Sequence, residues 1–406
     1  MAPKVVLVTG VAGFIGFHLA RALLLLPPSE VCLVIGIDEL NDYYDIRLKA
    51  SNLKELHHFG ADRFVFHRFD ISDGDRVREI FEQCGRSGHP ISHVAHLAAR
   101  AGVRPSIQSP ELYVQSNING TISVLEASRR YNVTNFVYAS SSSVYGDSKK
   151  VPFSESDRTD RPVSPYAATK KACELLASTY SHLYGLPTTG LRFFTVYGPR
   201  GRPDMAPFMF VDRVANGIPI HKFGDGTSSR DYTYIDDITS GILSAINLPR
   251  QNEIYNLGNE KTVTLNEFIS VVENLVGRAA IINQCPDQPG DVGITYADLS
   301  KSEKDLGYRP THTFAQGMEK FVKWYVMWCI DILVLDIPLK FLYQHYEYPR
   351  YHEYRQEVTD DYRKMTLPPA LQDCEDMAPE SSGVDSSEAS VVSDDINESS
   401  IVVEPI

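Results

Sequence analysis

Two side chains four residues apart, Tyr166 and Lys170, could together take a proton from a hydroxyl group. They lie in residues 164–170, a segment that continues as a predicted helix, and a spacing of four puts both on one helical face. A free phenol is a poor base at neutral pH, but a neighbouring ammonium favours its ionised form. Tyr166 is therefore a candidate general base with Lys170 as its partner. This spacing arises often by chance, so the interpretation needs support from other residues.

A run of four hydroxyl side chains, Ser140 to Ser143, follows a short apolar stretch at residues 136–139. If that stretch is a strand, the serines stand at its carboxyl end, where open α/β sheets bind their ligands. The alternative interpretation is a turn capped by serine hydroxyls.

Three glycines follow the first apolar stretch, residues 5–8, at positions Gly10, Gly13 and Gly16. Gly10 permits a tight turn, Gly13 lets the backbone approach a pyrophosphate, and Gly16 allows close packing of a helix on a strand. The amino end of that helix would then face the phosphates. The pattern predicts a dinucleotide site, although its spacing is G-x-x-G-x-x-G rather than G-x-G-x-x-G.

Acidic residues end the next two predicted strands. Asp38 would accept hydrogen bonds from a ribose diol and repel a 2′-phosphate, which favours NAD over NADP. Asp70 and Ile71 follow the third strand, where a carboxylate and an apolar side chain could bracket an adenine.

These residues require a scaffold of alternating strands and helices. Short apolar runs predict strands at 5–8, 31–37, 64–67, 93–97, 136–139 and 191–194, and helical segments lie between the first five at 15–26, 42–59, 73–84 and 113–131. The pattern predicts an α/β fold, a Rossmann-type doubly wound parallel sheet with a smaller C-terminal substrate-binding lobe. The expected domains are 1–190, which binds NAD, and 191–330, which binds the substrate and is interleaved with the first. An aromatic-rich extension at 331–372 and an acidic, Ser-rich, disordered tail at 373–406 follow.

The charge is concentrated in that tail. The chain has 406 residues and a net charge of −13, but residues 373–406 hold ten of its 52 acidic residues and no Lys or Arg, so the remainder carries −3. This balance argues against nucleic acid or an anionic membrane as the main partner.

The six cysteines are scattered, without a C-x-x-C pair or a His cluster at metal-ligand spacing, so we expect free thiols and no metal. No secretory signal is visible, which favours a cytoplasmic protein. The apolar stretch at 321–343 is interrupted by charges and a proline. It predicts a buried or amphipathic helix, with an oligomer or membrane-surface contact as the alternative, rather than a transmembrane segment.

Several motifs together resemble the extended short-chain dehydrogenase/reductase superfamily, in its nucleotide-sugar epimerase and dehydratase branch, over residues 4–330. They are Thr-Gly-x-x-Gly-Phe-Ile-Gly at 9–16, His-Leu-Ala-Ala at 96–99, Asn-Ile-Asn-Gly-Thr at 117–121, the serines with Val-Tyr-Gly at 140–146, Tyr166 with Lys170, and Arg-Asp-Tyr-Thr at 230–233. Within that branch, residues 37–45 and 192–206 are similar to UDP-glucuronate 4-epimerases.

The resemblance implies a set of site residues. The catalytic residues would be Tyr166, Lys170 and Ser141. The NAD site would comprise Gly10, Gly13, Phe14, Ile15, Gly16, Asp38, Asp70, Ile71, Leu97, Ala98, Ala99, Asn117, Tyr166, Lys170 and Phe193. The substrate site would comprise Ser141, Ser142, Ser143, Tyr166, Thr195, Arg202, Arg230 and Asp291. Arg192 and Arg200 also fall in the stretch expected to line the substrate cleft.

The implied reaction moves a hydride from sugar carbon 4 to NAD and returns it to the other face, with UDP-glucuronate and UDP-galacturonate as substrates. A UDP-glucose/galactose 4-epimerase and a nucleotide-sugar dehydratase or decarboxylase are the alternatives, followed by a non-catalytic scaffold that binds NAD or a nucleotide sugar. Dehydratases carry an acidic residue where Ser142 and Ser143 stand, and galactose-type enzymes usually have Asn at Thr195. The three hydroxyls could instead bind a C6 carboxylate. The resemblance also implies a homodimer, formed by the helix after Glu111 and the helix of Tyr166.

The sequence departs from the family pattern at two residues near these motifs. Glu39 follows Asp38 where Asn or Asp is usual, and Arg200 stands where Trp is common.

Overall fold

The structure is a computed structural model that describes residues 2–286 and 293–336. Asp291 and the chain beyond residue 336, which includes most of the predicted extension and the whole acidic tail, lie outside the described residues.

Strands and helices alternate through the first half of the chain. The strands are β1 (Lys4–Thr9), β2 (Val31–Asp38), β3 (Phe64–Arg68), β4 (His93–His96), β5 (Asn135–Ser141), β6 (Thr188–Phe193), β7 (Thr195–Tyr197), β8 (Ile220–Phe223), β9 (Ser229–Tyr234), β10 (Glu253–Leu257), β11 (Thr262–Thr264), β12 (Ile282–Cys285) and β13 (Ile294–Thr295). The helices are α1 (Phe14–Leu25), α2 (Ile46–Gly60), α3 (Gly74–Arg86), α4 (Val103–Gln108), α5 (Pro110–Tyr113), α6 (Gly120–Arg130), α7 (Pro165–Tyr184), α8 (Ala206–Asn216), α9 (Ile235–Asn247), α10 (Leu265–Val276), α11 (Ser300–Leu306) and α12 (Phe314–Asp336).

The main sheet has seven parallel strands in the order β3-β2-β1-β4-β5-β6-β10. The strand order reverses between β1 and β4, and this switch point is where doubly wound sheets form their ligand crevice. The predicted α/β fold with a doubly wound parallel sheet is therefore confirmed.

Strand β1 shows why this part of the sequence reads as a continuous apolar run. Val6 and Val8 join a buried cluster that includes residues of α1 and α9, whereas Val5 and Leu7 join a second cluster with residues of α3 and α6. Successive strand residues point to opposite faces, so a strand covered by helices on both sides is apolar at every position.

Two predicted helices differ in detail from the observed ones. The helix expected from residue 42 begins at Ile46, because the Asp45 side chain caps it by accepting the backbone N–H of Arg47. The helix expected at 113–131 contains a π-helical stretch, Val114–Asn119, between α5 and α6. Such stretches frequently occur at functional sites.

The second part of the chain forms short strands and helices around β9, which pairs with β7, β11 and β13. Strand β10 returns to the main sheet, and the predicted boundary at residues 190 and 191 falls inside β6. The two predicted domains thus share one sheet.

Helix α12 buries one face against this smaller region. Phe314, Met318, Phe321, Val322 and Tyr325 recur at helical spacing and are all buried, in a cluster that also holds residues of α8 and α10. Within the described residues, no helix combines the length and the apolar character needed to cross a membrane. The five cysteines that the structure describes are free thiols.

Candidate active site

One large cavity opens at the carboxyl edge of the main sheet, and its volume is about 680 Å³. Its wall contains every predicted site residue that the structure describes except Asn117, Arg192 and Arg200. The cavity has a dinucleotide half, next to the loop after β1, and a sugar half, next to β7 and β9.

The glycine loop between β1 and α1 defines the dinucleotide half. Gly10 has φ +71°, which glycine adopts without strain, and a Cβ there would lie 2.9 Å from the backbone N of Ala98. A Cβ on Gly16 would overlap the carbonyl oxygen of Gly10. Gly13 precedes α1, whose first amides face the cavity end of the loop. A backbone cradle that a Cβ would fill, at a helix amino end, fits the pyrophosphate of a dinucleotide.

Asp38 completes this half at the end of β2. Its carboxylate accepts the N–H of Ala12 at 3.1 Å and that of Leu40 at 2.9 Å, so its position is fixed. Burial raises the pKa of Asp38, while the two N–H groups act in the opposite direction by stabilising the charged form. A fixed carboxylate beside the glycine loop fits the ribose diol of NAD.

The opposite wall of this half is the segment after β4. Leu97, Ala98 and Ala99 line the cavity, as do Asp70, Ile71, Phe14, Ile15 and Phe193. The Thr9 hydroxyl accepts the N–H groups of Leu97 and Ala98, each at 3.1 Å, and this fixes the segment against β1.

His96 lies behind that wall and is fully buried between two threonines. Its Nδ1 is 2.9 Å from the Thr9 hydroxyl and its Nε2 is 3.0 Å from the Thr121 hydroxyl. Thr9 already accepts two N–H groups and Thr121 donates to the Asn117 carbonyl, which assigns the ring proton to Nε2. Burial lowers the pKa of His96 to about 3, so the ring is neutral at physiological pH.

Tyr166, Lys170 and Ser141 all line this cavity. Ser164 caps α7 by accepting the N–H of Ala167, and Tyr166 and Lys170 follow one turn apart in the helix. The buried ammonium of Lys170 donates to the carbonyl of Ala139 at 2.8 Å, next to the serine run. Ser141 donates to the hydroxyl of Ser143 at 3.1 Å. The arrangement brings a phenol, an ammonium and a hydroxyl to one wall, which suits proton transfer to and from a substrate hydroxyl.

The sugar half is lined by half-buried polar side chains from four elements. Ser142 and Ser143 follow β5, Thr195 begins β7, Arg202 lies in the loop before α8, and Arg230 lies in β9. Arg202 donates through Nε to Asp204 at 3.0 Å, and its guanidinium lies 5.3 Å from the centre of the Tyr43 ring. Arg230 donates to the carbonyls of Ser229 and Gly293.

Three predicted positions lie away from the cavity wall. Asn117 is buried one layer behind it, where its amide group bonds the backbone N and O of Arg100 and the hydroxyl of Thr169. Arg192 faces the other side of β6, and Arg200 contacts α2. The cleft is therefore lined by Arg202 and Arg230, but not by Arg192 and Arg200.

Arg192 instead forms a buried ion pair with Glu174 of α7. Its Nε and Nη2 donate to the two carboxylate oxygens at 2.8 and 3.0 Å, and Ser140 donates to the same carboxylate at 2.7 Å. Burial acts to raise the pKa of Glu174, but the hydrogen bonds and charge of Arg192 hold it below its usual value. The pair supports the serine run from behind.

Several wall residues are not among the predicted site residues, notably Tyr43, Arg100 and Met205, although Tyr43 and Met205 lie in the motif stretches 37–45 and 192–206. Arg100 lies 3.2 Å from Glu39, so the loops after β2 and β4 are joined across the end of β1. The position of Arg100, directly after a strand and the His-Leu-Ala-Ala motif, is the signal that could have identified it.

Comparisons with known proteins match most of this chain to one family. The family described as GDP-mannose 4,6 dehydratase matches residues 7–321. A UDP-glucuronate 4-epimerase of Thermodesulfobacterium geofontis is 44% identical over 319 residues, which cover 78% of this chain and 95% of that protein. UDP-glucuronate 4-epimerase 2 of Arabidopsis thaliana is 44% identical over 339 residues, covering 79% and 75%.

A solved structure is similar over the same region. The UDP-glucuronic acid 4-epimerase of Bacillus cereus, in complex with UDP-glucuronic acid and NAD, superimposes with a TM-score of 0.73 and 36% identity, covering 80% of this chain and all of that one. The chain therefore belongs to the GDP-mannose 4,6 dehydratase family of extended short-chain dehydrogenases/reductases, which includes nucleotide-sugar epimerases.

Proposed function

We propose that the protein is an NAD-dependent UDP-sugar 4-epimerase that interconverts UDP-glucuronate and UDP-galacturonate. The observation that carries this proposal is the single cavity in which a glycine loop and Asp38 adjoin Tyr166, Lys170 and Ser141. The relatives named UDP-glucuronate 4-epimerase and the Bacillus cereus complex support the same substrate and cofactor.

The chain's own residues divide the chemistry between them. NAD, when bound, supplies reversible hydride acceptance at sugar carbon 4. Tyr166 takes the proton of the carbon 4 hydroxyl and later returns it, and Ser141 hydrogen-bonds that oxygen throughout. Lys170, held by the Ala139 carbonyl, provides the positive charge beside the phenol. No net redox change results, so NAD remains bound between turnovers.

The polar side chains of the sugar half select the substrate. Ser142, Ser143 and Thr195 offer hydroxyl donors to the C6 carboxylate of a uronate, and Arg202 and Arg230 supply the positive charge for the acidic groups of a UDP-sugar. Holding the C6 carboxylate of the sugar in one orientation also protects the 4-keto intermediate, because a loosely oriented 4-keto uronate can lose CO₂. No acid side chain stands at Ser142 or Ser143, which disfavours dehydration.

A panel of UDP-sugars tests the proposal. Purified protein incubated with UDP-glucuronate should give a second UDP-uronate peak that grows to a constant ratio, without release of CO₂ and without added NAD. Turnover of UDP-glucose with UDP-glucuronate left unchanged would contradict the uronate assignment. Release of CO₂ would indicate a decarboxylase, and no product from any UDP-sugar would indicate a binding scaffold.

We further propose that the protein is a homodimer in the cytoplasm. Large apolar side chains remain exposed on the helical stretch after Glu111 and on α7, the two predicted interface helices, among them Val114, Leu175 and Leu183, at 45%, 59% and 61%. Such a face fits a self-complementary interface between two copies. Light scattering should give twice the mass of one chain, and Leu175→Glu with Leu183→Glu should give the single mass. The free thiols support the proposed cytoplasmic location, because free thiols are typical of a reducing compartment.

A further inference from the structure

The loop at residues 198–205 carries Arg202 and Met205 to the sugar half of the cavity, yet it is attached to the dinucleotide half. His18 of α1 donates its Nε2–H to the carbonyl of Pro199 at 2.9 Å. Burial lowers the pKa of His18 to about 3, so the ring is neutral and the bond persists at physiological pH. The loop is thus anchored on α1 at Pro199, one residue before its second attachment point.

Arg200 provides that second attachment. Its Nη1 donates to the Asn52 side-chain oxygen at 2.6 Å and to the Ser51 hydroxyl at 3.3 Å, and its Nη2 pairs with Glu55. The guanidinium also lies 4.4 Å from the centre of the Phe17 ring. Arg200 has φ +65°, a left-handed conformation that disfavours residues other than glycine. The side-chain contacts on α1 and α2 hold this conformation in place.

Asn52 extends the connection to the glycine loop. It is completely buried, and its Nδ2 donates to the carbonyl of Ala12 at 2.9 Å. The N–H of Ala12 in turn donates to Asp38 at 3.1 Å. A continuous chain of hydrogen bonds therefore runs from Arg200 through Asn52 and Ala12 to the carboxylate of Asp38.

We infer that Arg200 is a positioning residue that couples the loop at 198–205 to the glycine loop and thereby holds Arg202 in place for the UDP-sugar. Arg200 does not line the cavity, so it acts through Arg202, two residues along the chain. The inference rests on the proposed function, because Arg202 is the group whose placement would be lost.

Arg200→Met tests the inference, because methionine can still cover Phe17 but cannot donate a hydrogen bond. We expect the KM for UDP-glucuronate to rise about tenfold, with kcat within about twofold of the wild type and NAD still bound. Arg200→Lys should recover most of the loss, since it keeps a charged donor. An unchanged KM in a folded Arg200→Met protein would overturn the inference.

A double-mutant cycle tests the route through Asn52. In the Asn52→Ala background, Arg200→Met should raise KM less than about twofold further, because the shared connection is already broken. Independent, multiplying effects of the two substitutions would contradict coupling through Asn52.

Arg63→Met is the matched control. Arg63 lies between α2 and β3 and donates to the carbonyls of Leu26 and Val31, but it does not line the cavity. We expect it to lower Tm and leave KM unchanged. If Arg63→Met raised KM as much as Arg200→Met does, the effect of Arg200→Met would be a general loss of structure, and the inference would be wrong.

Binding without turnover separates this inference from the proposed function. Calorimetry with UDP-glucuronate on the Tyr166→Phe protein should show a Kd that rises about tenfold when Arg200→Met is added. If the Tyr166→Phe protein does not bind UDP-glucuronate and the wild type does not turn it over, the proposed function fails. Normal wild-type behaviour with an unchanged Kd in the double variant contradicts only the role of Arg200.

Discussion

The two halves of the cavity are built from different parts of the chain. In the dinucleotide half, Gly10 and Gly16 shape a backbone cradle, and buried Asp38 is fixed by two N–H groups. In the sugar half, half-buried side chains such as Thr195 and Arg202 stand on a short strand and a loop. Backbone shape tolerates little change, whereas side chains can be exchanged one at a time. We therefore expect substitutions in the first half to remove the cofactor, and substitutions in the second half to alter substrate choice.

The largest effect should come from Tyr166→Phe. Removing the phenol oxygen removes the proton acceptor, so turnover should fall about 1,000-fold or more. Both halves remain intact, so the protein should keep its NAD and bind UDP-glucuronate as tightly as before. Kinetics, NAD content and calorimetry check this result. A rate within tenfold of the wild type would remove Tyr166 from the mechanism.

Gly16→Ala should have the next largest effect, because its methyl group would overlap the carbonyl of Gly10. The loop must move to relieve the overlap, and we expect NAD affinity to fall about 100-fold. Gly85→Ala in α3 is the control, since a Cβ there meets nothing within 4 Å. That variant should keep its NAD and gain slightly in stability. Equal NAD content in the two variants would contradict the prediction that the backbone shape of the glycine loop determines NAD binding.

A pH experiment tests the wall behind the dinucleotide half. The pKa of His96 is lowered from 6.5 to about 3, so the folded protein keeps it neutral while the unfolded chain protonates it below pH 6.5. Its contribution to stability is full above pH 6.5 and is lost as pH falls, by up to about 1.4 kcal/mol per pH unit. Urea unfolding at pH 7 and pH 5.5 should show a smaller loss for His96→Gln than for the wild type. Identical losses would contradict the assignment of a buried neutral ring.

The smallest effect should come from Ser143→Ala in the sugar half. Loss of one hydroxyl donor should reduce kcat/KM for UDP-glucuronate about five- to tenfold, because one hydrogen bond to a charged group is lost. NAD content should not change. Measuring UDP-glucose alongside shows whether the preference for a uronate has weakened. A loss of bound NAD in this variant would mean that the two halves are not separable.

The residues predicted for the NAD site, other than Asn117, line one cavity, and the determinants of their placement are local. The glycines, Asp38 and the strands that present them are separated by short intervals and have recognisable spacing. The position of Arg192 could not be predicted from local spacing. It neighbours Phe193, which lines the cavity, but successive residues of β6 point to opposite faces, and the facing depends on the sheet. Asn117 likewise lies behind the cavity wall, where it bonds Arg100 and Thr169. Both partners are distant in the sequence, so a local pattern does not predict these contacts.

The buried ion pair of Arg192 and Glu174 limits which single substitutions the interior behind the serine run can tolerate. Loss of Glu174 would leave the Arg192 guanidinium without its counter-charge in the interior, at a cost of about 3–5 kcal/mol, whereas loss of Arg192 would leave Glu174 paired with Lys171 alone. Either single substitution should therefore destabilise the support behind the serine run. The side chains in front of it carry no such constraint. Single substitutions in the sugar half should accordingly change substrate preference without disturbing this support.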